Sequence, residues 1–558
     1  MSVTTILDTA KQAMFAQQRA IQVTGQNVAN VNTPGYSRQQ PVFLPVRPSI
    51  SGVLRLGVSV DQVTRAHDRF LTSQVQQAAT EFSGAQTQAD LLSQVEALFN
   101  ELSLEDAGLS GALERFFAGF QELASNPRGI PERLVVQSQG QTMAELFHGL
   151  DTHLEEFRRN LNTTLKDELA ESNRLISEIA ELNGRIQQTE ADPKNHANTL
   201  RDERDVLLKT LAEKVNITSF ETSDGAVTVL LGGGRPLVEG GFTSELVTVA
   251  DANDPLQFSI HIQDRQGNRT DVSASITSGK IHALTEVRDT VLPSYTHDVD
   301  RLAAQLISAV NNQHSQGYGL NGSTGHTFFA PREASGLAAA ANSGGGTLQG
   351  VVVFDPTQLT LDDYRIDFVS NGPPPTFDIV NSTTGATVAA GQSYTAGATI
   401  RFDGIAVTLN DNGMAPQQGD AFTISSTKGA AKNVVVAPAI LNDVRNIAAA
   451  QTPDVGDNTN ALALARLQDA ALIDGSTLSE FYHTLVSRVG KESQSRTNLA
   501  EHQQLLLTEV ENQRESLAGV SLDEEQLDLI RFQQAFSAAA NLVRIADEMA
   551  DIVINMVR

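Results

Sequence analysis

The segment SLDEEQLDLIRFQQAFSAAANLVRIADEMADIVINMVR occupies residues 521–558 and carries the most regular pattern in the chain. Its apolar residues recur at alternating intervals of three and four, which is the a/d spacing of a coiled-coil seam. The predicted seam comprises Leu529, Phe532, Phe536, Ala539, Val543, Ala546, Ala550, Val553 and Val557. This spacing predicts one long helix that packs along a second helix.

A second apolar stripe runs beside this seam, and it comprises Leu542, Ile545, Met549, Ile552 and Met556. A helix that is apolar over more than one narrow seam has to be covered on several sides. Two interpretations are open at this stage. The helix is buried in a bundle within one chain, or it is covered by further copies of the same chain, because heptads specify a partner helix and not the molecule to which it belongs.

The N-terminal segment is predicted to supply a partner for this helix. Residues 2–31 indicate one helix, in which Leu7, Met14, Ile21 and Val28 recur every seven residues. The helix is expected to end at 33–35, since the residue before a proline is pushed out of the helical region. We expect these four apolar side chains to pack against the C-terminal seam, within one subunit or between subunits.

The order of patterns along the chain predicts an α+β multidomain fold. Long N- and C-terminal helices pair as a coiled coil or bundle, and two β-rich lobes are inserted between them and displayed away from the helical axis. The predicted units are an N-terminal helix and extended arm (1–65), a long helical rod (66–214), a first β lobe (215–280), a helix (281–315), a second, variable β lobe (316–435), a returning helical rod (436–520) and the C-terminal coiled-coil helix (521–558).

The amino-acid composition limits the kinds of partner that the chain is expected to bind. The formal net charge of −26 argues against a nucleic-acid partner and against an anionic membrane surface, because both are bound through Lys and Arg. No run of apolar residues is long enough to predict membrane insertion. Residues 1–20 lack the basic and apolar regions of a secretory signal peptide, and the chain contains no cysteine.

A search for catalytic patterns predicts that the chain is not an enzyme. There is no HExxH zinc motif and no GxxxxGK[ST] phosphate loop. The histidines are scattered, and the triple glycines at 232–234 and 344–346 lack the strand-then-helix setting of a phosphate site. We therefore expect no catalytic residue, no cofactor and no metal site.

The stretch NVANVNTPGYSRQ at 27–39 resembles the N-terminal signature of the flagellar axial proteins, which form rod, hook and hook-associated segments. The signature residues are Asn27, Asn30, Asn32, Thr33, Pro34, Gly35, Tyr36, Arg38 and Gln39. Residues 200–205, 233–240, 311–322 and 519–525 are similar to the hook-associated protein 1 family in particular. Residues 335–435 match no motif.

This resemblance implies a structural subunit that self-assembles at the junction between hook and filament. It implies an extracellular flagellar location, reached by type III export without a cleaved signal peptide. The terminal helices would form the inner wall of a tube. The implied partners are further copies of the chain, hook protein and a second hook-associated protein on either side, and a cytoplasmic export chaperone at the C-terminal helix.

Two alternatives remain at this point. The chain is another flagellar axial protein, such as a hook protein or a flagellin-like protein, or the lobe at 316–435 carries an outward-facing adhesive or binding module. Hook proteins should lack the stretches at 200–240 and 311–322. A binding module should show a concave pocket with converging aromatic and polar groups.

Overall fold

The computed structural model describes residues 3–45, 57–101, 108–192, 195–251, 254, 256–356, 358–411 and 413–556. The helices are α1 Val3–Ala29, α2 Arg69–Glu101, α3 Leu109–Ser125, α4 Ile130–Thr189, α5 Asn198–Lys214, α6 Lys280–Glu286, α7 Leu292–His314, α8 Ala430–Asn433, α9 Pro438–Asn442, α10 Thr459–Ala465, α11 Leu478–Ala518 and α12 Leu522–Met556. A π-helical segment, Val287–Val291, joins α6 to α7.

The strands are β1 Gln39–Pro45, β2 Val58–Arg65, β3 Ile217–Glu221, β4 Val227–Leu231, β5 Arg235–Glu239, β6 Phe242–Thr243, β7 Glu245–Ala250, β8 Phe258–Gln263, β9 Arg269–Asp271, β10 Tyr318–Gly319, β11 Ser335–Ala338, β12 Thr347–Val353, β13 Asp363–Ser370, β14 Thr376–Asn381, β15 Thr387–Ser393, β16 Thr399–Phe402, β17 Ile405–Asn410, β18 Ala421–Ser425 and β19 Ala448–Ala450. The order confirms the predicted fold class, with long terminal helices and a β-rich middle region.

The first and last helices lie side by side, and we call α1 and α12 the terminal pair. The end of α1 meets the start of α12, where Asn27 contacts Glu525, so the two helices run antiparallel. The antiparallel hairpin of β1 and β2 follows α1 and packs against it. The ring of Phe43 on this hairpin lies 5.9 Å from that of Phe532, so the hairpin also covers part of α12.

A helical body carries the largest apolar core. Its longest helix, α4, has 60 residues and is therefore roughly 90 Å long. The centre of the core is aromatic, with Phe116, Phe120, Phe328 and Phe329 stacked edge to face or tilted at 5.0–5.8 Å. Helix α11 returns along α2 and also contacts α3 and α7.

The expectation that both β lobes are displayed away from the helical axis is wrong for the first one. Its strands form two antiparallel sheets, β3-β4-β5-β6 and β7-β8-β9. The apolar faces of these sheets, which include Val229, Val238 and Ile260, belong to the same buried core as α4. The alternating sequence correctly predicts strands, and their inward faces are buried against the helical body instead of enclosing a core of their own.

The second β lobe does have a core of its own. A five-stranded sheet, β11-β18-β13-β14-β15, faces a three-stranded sheet, β12-β17-β16. Between them lies a separate cluster that includes Tyr364, Phe377, Ile405, Leu409 and Phe422. We call this unit, from β11 to β18, the β sandwich.

The predicted returning rod at 436–520 forms one continuous helix only from Leu478 onward. The preceding part holds short helices and the strand β19, whose alanines are fully buried and pair with β10. Pro438 starts one short helix, while Asp474 and Gly475 adopt positive φ and turn the chain into α11. The three alanines of β19 are all buried, and their small side chains fit a strand that is enclosed by its neighbours.

His314, the last residue of α7, links this buried strand to the aromatic core. The backbone N–H of Ala448 donates to its Nε2 at 2.9 Å, so the opposite nitrogen, Nδ1, carries the proton and donates to the carbonyl oxygen of His326 at 2.7 Å. Complete burial lowers the pKa of His314 to about 4. The folded protein therefore holds a neutral imidazole where the unfolded chain holds one that titrates near pH 6.5.

Replacing this histidine should change the response of stability to acid. Between pH 6.5 and pH 4 the unfolded chain binds a proton at His314 and the folded chain does not, so this group lowers the free energy of unfolding as the pH falls, by on the order of 3 kcal/mol. His314→Gln keeps one donor and one acceptor but removes the titration. Urea unfolding at several pH values should show that the free energy of unfolding falls less with decreasing pH in the variant. Equal dependence of this free energy on pH in the two proteins would contradict the assignment.

Candidate assembly interface

The C-terminal seam packs against α1 of the same chain. Phe532, Ala539 and Ala546 are buried. Leu529, Phe536, Val543 and Ala550, the other members of the predicted seam that can be assessed, are half-buried. Val557 and the side chain of Val553 lie outside the described residues.

The face of α1 that meets this seam differs from the predicted one. The buried residues of α1 are Ala10, Ala16, Ala20, Val23, Thr24 and Asn27. Met14 and Ile21 are half-buried at the edge of this face, and within the chain Leu7 and Val28 are exposed, at 40% and 37%. Small residues allow the backbones to approach closely, so the bulky side chains of α12 fill the space. Contact of Leu7 and Val28 with another subunit stays a prediction.

Asn27, the first residue of the signature, makes four hydrogen bonds through its side chain. Its Oδ1 accepts from the hydroxyl of Tyr36 and from the backbone N–H of Gln39, both at 2.9 Å. Its Nδ2 donates to the carbonyl of Gln39 at 2.9 Å and to Glu525 Oε2 at 3.0 Å. Every donor and acceptor of this buried amide is therefore satisfied.

Arg38 ties the same loop to the start of α12. Its Nε donates to Glu525 Oε1 at 2.7 Å, and its Nη1 donates to Glu524 Oε2 at 2.6 Å. Its backbone N–H donates to the carbonyl of Ala518 at 2.8 Å. Glu525 is almost completely buried, at 2% exposure, so Arg38 supplies the charge that its burial requires. Burial, together with the nearby carboxylates of Asp202 and Glu525, raises the pKa of Tyr36 to about 12 and keeps its hydroxyl protonated.

The remaining signature residues form the turn between α1 and β1. Asn32, Thr33 and Pro34 are exposed, and Asn30 makes only local hydrogen bonds, to Gln26 and Thr33.

Helix α5 carries polar side chains that hydrogen-bond to the signature turn and to the β1–β2 hairpin, and we call Asn198, Asp202 and Asp205 the polar seat. The sequence-based prediction did not identify these residues as a site. Asp202 accepts from the backbone N–H of Ser37 at 3.2 Å and from Arg65 at 2.8 Å, while Asp205 accepts from Arg65 at 2.7 Å. Asn198 donates to the carbonyl of Val63 at 2.9 Å. Burial raises the pKa of Asp202, although Arg65 and Ser37 act in the opposite direction. The spacing of 198, 202 and 205 along one helical face was the available signal.

Gly35 passes close to Val206 of helix α5, at a point where a larger residue would not fit. Its φ is +80°, and a Cβ built on it would lie 2.2 Å from Cγ2 of Val206. The turn is bordered by two clefts of about 450 and 660 Å³, and Pro34 and Gly35 line both of them. The terminal pair is thus attached by hydrogen bonds and one close backbone crossing, with open space on both sides.

The second apolar stripe of α12 is left uncovered in the single chain. Leu542, Ile545, Met549 and Ile552 are 47%, 43%, 41% and 59% exposed. Among the described residues, no group of histidines and carboxylates could hold a metal ion. No described helix is long and apolar enough to cross a membrane. The chemistry available at this site is apolar and hydrogen-bonded contact between helices.

Family models and relatives agree with this arrangement. Residues 92–329 match the flagellar hook-associated protein FlgK helical domain, 7–36 match the flagella basal body rod protein family, and 513–556 match the flagellar basal body rod FlgEFG protein C-terminal region. The chain is 27% identical to flagellar hook-associated protein 1 of Escherichia coli, over 99% of this chain and 100% of the relative. It is 29% identical to the protein of that name in Bacillus subtilis, over 98% and 97%.

Over nearly its full length the chain is thus similar to proteins named flagellar hook-associated protein 1, and its residues 92–329 match the FlgK helical domain. A solved structure, the flagellar hook junction protein FlgK from Burkholderia pseudomallei, shares the fold with a TM-score of 0.68 at 21% identity. It covers 80% of this chain and 100% of its own length. The two regions that match rod-protein families hold most of α1 with the signature turn, and α12, so both matches lie where the two ends of the chain meet.

Asn27→Ala should loosen the terminal pair. The substitution leaves the N–H and carbonyl of Gln39 and the hydroxyl of Tyr36 without their partner, which should cost roughly 3 kcal/mol locally. Hydrogen exchange of the full chain should become faster across α1 and the first half of α12. Asn30→Ala is the matched control, since that amide lies in the same motif but bonds only locally. Equal protection in the two variants would show that Asn27 does not hold the pair.

Gly35→Ala should strain the crossing over α5. The added methyl group meets Val206 and also forces a non-glycine residue into a left-handed conformation, which alone costs roughly 1 kcal/mol. Gly35→Ala combined with Val206→Ala should recover the part of the loss that is due to the clash. Thermal unfolding of both proteins, with Val206→Ala alone as the reference, measures this coupling, and strict additivity of the two changes would contradict the close approach.

Proposed function

We propose that this chain is a structural subunit of the bacterial flagellum that self-assembles into the junction between hook and filament through its terminal pair. The observation that carries the proposal is the division of α12 into two apolar faces. One face is satisfied by α1 of the same chain, and the other leaves four large side chains in water.

A second copy is the partner that best suits this exposed face. A contiguous apolar stripe on a surface helix marks an interaction site. Because every copy presents the same stripe next to the same α1, copies that contact one another through different faces form a closed ring or an open helical tube. The seam packs against α1 within the chain, as the first interpretation of the C-terminal pattern expects. Contact of the stripe with further copies, the second interpretation, is part of this proposal.

The finer assignments belong to this proposal. Neighbouring layers would be hook protein on one side and a second hook-associated protein on the other. Before export the stripe would need cover in the cytoplasm, which fits an export chaperone at α12. The location would be extracellular, reached without a cleaved signal peptide, and the role would be structural and not enzymatic.

A charge on the stripe should prevent assembly without unfolding the subunit. Ile545→Asp places a carboxylate where a neighbouring copy would bury it, at a cost of several kcal/mol. In the free chain this position is exposed, so circular dichroism and thermal unfolding should match the unchanged protein. In a strain lacking its own copy, the variant should leave hooks without filaments under electron microscopy.

The matched control is Ser537→Asp, which adds the same charge to an exposed polar position of the same helix. This variant should restore filaments and motility. Filaments of normal number with Ile545→Asp would rule out the stripe as the assembly face.

A further inference from the structure

Arg332 differs from the other well-buried arginines in how its charge is compensated. Arg65, Arg201 and Arg288 each form an ion pair with a carboxylate. Arg332 forms no ion pair within the described part of the chain, and its one hydrogen bond runs from Nη1 to the carbonyl of Ser426 at 3.1 Å. Its Nη2 is buried and has no partner. Burial alone lowers the pKa of its guanidinium to about 10.

Arg133 shows that a missing carboxylate is not by itself a sign of a site. It too lacks an ion pair with any described residue, but it donates to the carbonyl oxygens of Pro127 and Ile447 and is enclosed by protein. Arg332 instead lines an open cleft between α7 and the base of the β sandwich. The cleft has a volume of about 150 Å³, several times the roughly 30 Å³ of a water molecule in the liquid.

The other polar residues of this cleft are suited to an anion. Ser308, Asn312 and Thr327 line it, and their side chains hydrogen-bond to none of the described residues. They offer hydroxyl and amide donors beside a guanidinium that has free N–H groups. No carboxylate is among the described residues that line the cleft, while its apolar walls, formed by residues such as Ile307 and Leu359, reduce contact with water and strengthen electrostatic attraction.

We propose that this cleft binds a small oxyanion, a phosphate or a carboxylate, through Arg332. An isolated charge withdrawn from water is costly, and a planar guanidinium binds such an anion through two parallel hydrogen bonds. The bound group would bridge α7 of the body and the segment that leads into the β sandwich. The proposal concerns the outer part of the molecule and does not depend on how the terminal pair assembles.

Thermal unfolding and calorimetric titration of the full-length chain test this site. Sodium phosphate and sodium acetate are compared with sodium chloride at equal ionic strength. An anion that binds only the folded protein raises Tm progressively with its concentration. We expect a saturable rise with at least one of the two oxyanions and none beyond the chloride response in Arg332→Gln, whose affinity should fall by at least about tenfold.

Further variants separate binding from a loss of stability. Thr327→Val should weaken binding while Arg332 remains. Arg365→Gln removes a half-exposed, ion-paired arginine of the β sandwich and should leave the rise in Tm unchanged. A response to phosphate alone identifies a free phosphate ligand, and a response to acetate identifies a carboxylate such as an acidic side chain of a partner. Equal responses in Arg332→Gln and the unchanged chain, or no response to either oxyanion, overturn the proposal.

Discussion

Asn27 makes three hydrogen bonds to the turn that follows α1 and one to Glu525, which lies 498 residues further along the chain, and the arrangement of the termini depends on this amide. A buried amide that is fully satisfied in one alignment loses its partners in any other. If α12 slid along α1 by one heptad, Glu525 would leave Asn27 and Arg38, and a buried carboxylate would lose its compensation. A single polar group thus fixes the register of a helix pair that apolar contacts alone would define poorly.

Apolar contacts define the register of this helix pair poorly because of the composition of α1. Half of its six buried residues are alanine, so the pair gains close approach but little buried apolar area from α1. The consequence for α12 is an unequal division: its seam packs on this narrow surface, and the aliphatic residues of the second stripe lie beyond it. Those residues stay exposed in the single chain. The same small side chains that permit tight pairing therefore leave the surface that further copies can cover.

Sequence patterns predicted the elements well and their partners less well. The period of α12 identified the seam by which it packs on α1. The faces of α1 were misjudged because Leu7 and Val28 are more hydrophobic than Ala16 and Ala20, whereas close packing favours the smaller residues. The polar seat on α5 was not recognised, since Asp202 and Asp205 are ordinary surface residues until the hairpin brings Arg65 to them. The position of the first β lobe could not be predicted either, because alternation shows which residues face inward but not the element that covers them.

The distribution of buried apolar residues divides the molecule into three parts with different roles. The core of the helical body includes the first β lobe but, among the described residues, no member of the terminal pair. The β sandwich has a second, separate core. The terminal pair is joined to the body by the chain connection from α11 to α12, by the hydrogen bond from Arg38 to Ala518, by Asp202 and Asp205, and by the crossing at Gly35. Polar contacts and one close crossing hold the pair to the body, whereas each core is held by apolar packing. For a subunit proposed to assemble through its terminal pair, this division keeps the proposed assembly surface outside the two apolar cores.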